Sequence, residues 1–156
     1  VAGLVIDALT RGDECYEFEI EVVVGAASPW RDSLLMQISK STLDIKLSFN
    51  VSNMAEAMRD SDLAIGAAGA TSWERCCLGL PAITVPIADN QIRIAEALNQ
   101  AGASYTIDRE SISREMVKLI KVASMPSNMK NLSESAYALV DGLGCDRVVN
   151  EMIRCI

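Results

Sequence analysis

The chain has 156 residues, half of them hydrophobic and 22% charged, with a formal net charge of −7 and no histidine. That is enough apolar chain to bury one core without disulfide or metal staples, and it excludes a disordered polymer. The acidic balance excludes DNA or RNA as a general partner, because a phosphate backbone selects a basic face. No apolar run approaches the ~20 residues that a bilayer span requires, so no stable membrane insertion is expected.

Val1, Leu4, Val5, Ala8 and Leu9 fall on one helical face, which predicts a helix over Val1 to Leu9. Phe18 to Val24 reads as a strand closed by Gly25, and Trp30 to Ser39 as a helix entered after Pro29. Asp44 to Phe49 alternates as a strand, and Asn53 to Arg59 forms a short helix with Met54, Ala57 and Met58 as its apolar side. A buried strand from Leu63 to Ile65, a small-residue turn from Gly66 to Ala70 and a helix opening at Thr71 follow. Ala82 to Val85 is the next strand, and a turn rich in Asp and Asn leads into a further helix. Gly102 closes that helix before a short strand over Ser104 to Ile107. Glu110 to Ala123 is helical, and two more helices after Pro126 are split at Asp141-Gly142-Leu143-Gly144.

Alternation of strand and helix, with near-continuous apolar strands, predicts a doubly wound parallel α/β sheet. Such a sheet ordinarily begins with a strand, whereas this chain begins on a helix. A first strand and a preceding domain are therefore expected upstream of Val1. The five cysteines, Cys15, Cys76, Cys77, Cys145 and Cys155, are odd in number and lack metal-type spacing. They read as free thiols of a reducing compartment, hence a cytoplasmic protein. Without histidine the chain lacks the usual general base near neutral pH, and no catalytic residue is assigned in it.

The segment Ser61 to Ala97 carries the functional signal. A strand that ends in a Gly/Ala turn at a helix N-terminus offers free N–H groups and the positive end of a helix dipole, which suit a phosphate. Small residues there equally let strand and helix pack closely, and the residues alone leave both readings open. Thr71-Ser-Trp-Glu74 also fits a capping box, with Thr71 capping and Glu74 folding back. The functional alternative gives the Glu74 carboxylate a ribose diol.

The strings Gly66-Ala-Ala-Gly69-Ala-Thr-Ser-Trp-Glu74-Arg-Cys-Cys-Leu-Gly79-Leu-Pro81 and Ala88-Asp-Asn-Gln91 resemble the C-terminal domain of the UDP-2,4-diacetamido-2,4,6-trideoxy-β-L-altropyranose hydrolases of pseudaminic acid biosynthesis. That family is similar to the UDP-N-acetylglucosamine transferase of peptidoglycan synthesis and shares its two-domain glycosyltransferase-B architecture. The resemblance implies that residues 1–156 form one UDP-sugar-binding domain, the Rossmann-like C-terminal half of that architecture, with the N-terminal domain of the same polypeptide as its partner. It implies the UDP diphosphate at Gly69, Ala70, Thr71 and Ser72, and the ribose at Glu74. The uracil edge falls to the backbone of Val51 with Met54 nearby, and the sugar or diphosphate to Gln91 with Asn90 assisting. For Asn90 a plain helix cap is the alternative.

The implied reaction is hydrolysis: water attacks the anomeric carbon with inversion, and UDP leaves. This domain would stabilise the charge developing on the diphosphate. No metal or cofactor is expected, since a helix dipole and backbone amides can hold the diphosphate without one. The family's histidine base belongs to its N-terminal domain, so this chain alone would be inactive. Ala68 departs from the family's paired glycines, and would weaken phosphate binding if that position needs positive φ or close backbone approach. Two further readings stay open: a UDP-sugar-dependent glycosyltransferase of the same architecture, and a non-catalytic binding module.

Overall fold

Strand and helix alternate through most of the computed structural model, which describes residues 1–12 and 18–155. The order is α1 (Ala2–Arg11), β1 (Ile20–Val24), α2 (Arg31–Ile38), β2 (Ile45–Phe49), α3 (Met54–Arg59), β3 (Ala64–Ala67), α4 (Thr71–Cys77), β4 (Ala82–Val85), α5 (Asp89–Gln100) and β5 (Ser104–Thr106). A 3-10 turn (Arg109–Ser111) then leads to α6 (Ile112–Ala123), α7 (Pro126–Leu139) and α8 (Gly144–Arg154). The predicted order of elements stands, with bounds moved by a residue or two. The strand after Asp62 runs on through Gly66 and Ala67, so the turn is shorter than the sequence suggested. Cys15 lies outside the described residues.

All strand pairs are parallel, as the apolar strands predicted. The strands fall into two sheets, β1–β2 and β3–β4–β5, rather than one continuous ladder. Helix α1 joins them. Its Val5, Ala8 and Leu9 pack with Ile83 and Val85 of β4, while Ile6 packs with Val22 of β1 and Leu34 of α2. The main core adds Ile112, Met116 and Ile120 from α6, with Ile83, Val85, Ile112 and Met116 fully buried. Each such side chain contributes about 1.5–3 kcal/mol of burial, so α1 and α6 together hold the three-stranded sheet. The central strand β4 is buried along its whole length, which explains its continuous apolar sequence.

Two glycines end the helices that bracket the candidate site. Gly79, at φ 62°, follows α4, and the N–H groups of Leu80 and Gly79 donate to the carbonyls of Arg75 and Cys76. Gly102, at φ 70°, follows α5 with the same pair of bonds, Ala103 to Leu98 and Gly102 to Asn99. This closure satisfies the last carbonyls and requires a left-handed residue, which glycine adopts without cost. Both helices are thereby returned into β4 and β5, and the turns at the opposite ends of those helices are set in place.

Candidate functional site

The turn between β3 and α4 differs from its sequence reading in how it is capped. The N-cap of α4 is Ala70 and no side chain caps the helix, so the predicted capping box does not form. Thr71 is already the first helical residue, and its hydroxyl and the Glu74 carboxylate are both exposed. The N–H groups of Ser72 and Trp73 are used within the turn, donating to the carbonyls of Gly69 and Ala70 at 3.0 and 3.1 Å. Among the described residues, the N–H groups of Ala70 and Thr71 have no protein acceptor, and they sit at the positive end of α4.

Gln91 is brought to the same place from the neighbouring turn. It lies in the first turn of α5, and its Oε1 accepts a hydrogen bond from the Ile87 N–H at 3.1 Å. That bond turns the amide Nε2 toward the β3–α4 turn, where it lies 3.8 Å from the position a Cβ on Gly69 would take. Two consecutive βα turns of one parallel sheet thus converge on one surface, at the carboxyl ends of β3 and β4. Asn90 is exposed in the first turn of α5, whose N-cap is Ala88, so the helix-cap alternative for Asn90 is not what forms.

Val51 follows β2 of the other sheet, after Asn50 has turned the backbone at φ 50°. Asn53 caps α3 by accepting from the Glu56 N–H, which leaves Met54 half-buried at the helix start. Among the described residues no hydrogen bond joins Val51 or Met54 to the Gly69–Gln91 cluster. Ser72 faces inward rather than outward: it is 1% exposed and its Oγ accepts from Arg75. Ala68 is wholly buried and its φ is not positive, so the position needs no glycine in this backbone.

Sequence reasoning passed over Arg75. It is buried at 5% exposure, and its Nη2 donates to the Ala67 carbonyl at 2.8 Å and to Ser72 Oγ at 2.9 Å. Among the described residues its Nε has no partner and no carboxylate lies within ion-pair distance. Burial pulls its pKa below the ordinary arginine value, while the charges of Cys76 and Glu74 oppose that shift. The only signal in the sequence was an arginine on the inner side of a seven-residue helix. One surface cleft, lined by Thr106, Asp108, Glu115 and Lys118 among others, includes none of the turn residues.

Comparison with known proteins places these turns in a family. Residues 6–140 match the glycosyltransferase family 28 C-terminal domain. The chain is 30% identical over 124 residues to the UDP-N-acetylglucosamine–N-acetylmuramyl-(pentapeptide) pyrophosphoryl-undecaprenol N-acetylglucosamine transferase of Thiobacillus denitrificans, covering 76% of this chain and 34% of that protein. It is 26% identical over 129 residues to the spore coat polysaccharide biosynthesis protein SpsG of Bacillus subtilis, covering 81% of this chain and 38% of that one. The chain thus spans about a third of the length of these relatives. Its fold matches Acinetobacter baumannii MurG with a TM-score of 0.77 at 19% identity, over 99% of this chain and 46% of that one. A UDP-N-acetylglucosamine 2-epimerase matches with a TM-score of 0.68 at 16% identity, over 97% and 40% of the respective chains. The α/β fold is that of the Rossmann-like half of glycosyltransferase-B proteins, and the chain belongs to the glycosyltransferase family 28 C-terminal domain family.

Proposed function

We propose that this chain is the nucleotide-sugar-binding half of a UDP-sugar-dependent glycosyltransferase, working with an N-terminal domain of the same polypeptide in the cytoplasm. The observation that carries the reading is the pair of free N–H groups at Ala70 and Thr71 beside the Gln91 amide. Two backbone donors, a helix dipole and a neutral side-chain donor form a cradle for a diphosphate. Gly69 to Thr71 take the diphosphate directly, and Ser72 acts from behind through Arg75. Glu74, whose side chain is exposed, takes the ribose hydroxyls. Gln91 and Asn90 face the sugar side, and the Val51 backbone with Met54 takes the uracil.

In that role the domain stabilises the charge that grows on UDP as the sugar departs. The peptidoglycan transferases among its relatives favour transfer over the hydrolysis expected from sequence. The run from Trp73 to Pro81 still resembles the hydrolases and sustains hydrolysis as the second reading. Calorimetric titration with UDP tests the site, and an absence of heat at millimolar UDP overturns it. Release of UDP by the whole polypeptide separates the two chemistries: dependence on an acceptor supports transfer, and release into water alone supports hydrolysis.

A further inference from the structure

A guanidinium buried without a carboxylate is costly, because its lost hydration has to be made good by hydrogen bonds or by a counter-charge. Arg75 has only partial compensation. Its Nη2 has two neutral acceptors, the Ala67 carbonyl and Ser72 Oγ, and its Nε has none among the described residues. Both acceptors belong to the segment that shapes the turn, one before Gly69 and one after it. Gly66 completes the enclosure, since a Cβ there would stand 2.9 Å from Arg75 Nη1. Gly66 thus leaves room for this side chain at a backbone φ that is not positive.

We infer that Arg75 is the positioning residue of the anion site, tying the end of β3 to the first turn of α4 and supplying from below the positive charge that a bound diphosphate neutralises. The inference rests on the UDP reading of the same turn. Arg75 itself does not touch the ligand. It fixes the direction of the Ala70 and Thr71 N–H groups through Ala67 and Ser72, and its field falls on whatever anion those groups hold. A charge with little water around it acts over such distances with weak screening.

The test compares UDP with uridine on the same protein, because a purely structural role would lower both affinities together. Titrations are run on the unaltered protein, Arg75→Gln, Arg75→Lys and Gly66→Ala, with thermal melting to confirm that each is folded. Arg75→Gln is expected to weaken UDP about tenfold or more, the usual effect of losing a residue that orients a binding group, and to change uridine less than about twofold. Arg75→Lys keeps the charge without the planar fork and should recover part of the loss. Gly66→Ala keeps the arginine but displaces it, and should weaken UDP in the same selective way. Equal losses for UDP and uridine, or an unchanged UDP affinity in a folded Arg75→Gln, overturn the role of Arg75 and leave the UDP site standing. Failure of the unaltered protein to bind UDP overturns both.

Discussion

Gly69→Ala separates a ligand cradle from a packing turn more sharply than any other single change. In the folded protein a Cβ at this position meets only Gln91 Nε2, at 3.8 Å, which is ordinary van der Waals contact. The backbone there is not left-handed, so alanine is accommodated without strain. Alanine also restricts the unfolded chain, which stabilises the native state by about 0.4–1 kcal/mol. For a domain of this size that corresponds to a rise in Tm of roughly 1–4 °C. Binding should move the opposite way. A diphosphate held by main-chain N–H groups must approach the backbone closely, and a methyl beside the Ala70 N–H stands in that approach. Loss of one hydrogen bond to a charged group is about 1.5–3 kcal/mol, roughly a tenfold to hundredfold loss of UDP affinity. The assay is calorimetric titration with UDP alongside a thermal melt. A variant that is as stable as expected and binds UDP unchanged would refute the cradle, and one that melts lower would refute the geometry assigned to Gly69.

Three further outcomes follow from the same contacts. Gln91→Glu keeps an oxygen for the Ile87 N–H but replaces the donor facing Gly69 with a negative charge. UDP affinity should fall at least about tenfold, partly restored by salt, with stability within about 0.5 kcal/mol of the parent in a denaturant titration. Met116→Ala empties a fully buried site between α6 and the three-stranded sheet, and chemical denaturation should show a loss of about 2–5 kcal/mol. Among the four cysteines of the described residues, timed thiol labelling should modify Cys145 and Cys155 first, since both are exposed, and Cys76 last. Burial raises the Cys76 pKa against the opposing pull of Arg75, so at pH 8 less of it is thiolate and reaction slows; raising the pH should narrow the difference.

The order of strands and helices, their parallel pairing and most core positions of α1 and α6 were legible in the sequence, whereas Ile6, 2% exposed and packed toward β1, and the division into two sheets were not. The legible features depend on local periodicity, and periodicity is written residue by residue. The segment that holds the candidate site was marked by its run of Gly, Ala, Thr and Ser between strand and helix, a composition that equally suits close packing of the two. Its capping was not legible. Thr71 and Glu74 have the spacing of a capping box, yet the helix starts one residue too early for Thr71 to cap it. Ala70 is in the helical region already, and that offset is set by how β3 enters the turn rather than by any residue's preference.

Composition and pattern by themselves determined an acidic α/β domain with a small-residue turn after its third strand and a second turn after its fourth. Only the tertiary structure decided which groups meet there. Gln91 reaches Gly69 because β3 and β4 are adjacent and in register, a pairing between residues that are far apart in the chain. The same packing turns Ser72 inward and buries Arg75 beneath Gly66. A buried charge leaves no periodic trace in the sequence. Whether an arginine on a short helix reaches solvent or lies under its own turn is settled by the space its neighbours leave, and here a missing Cβ at Gly66 leaves that space.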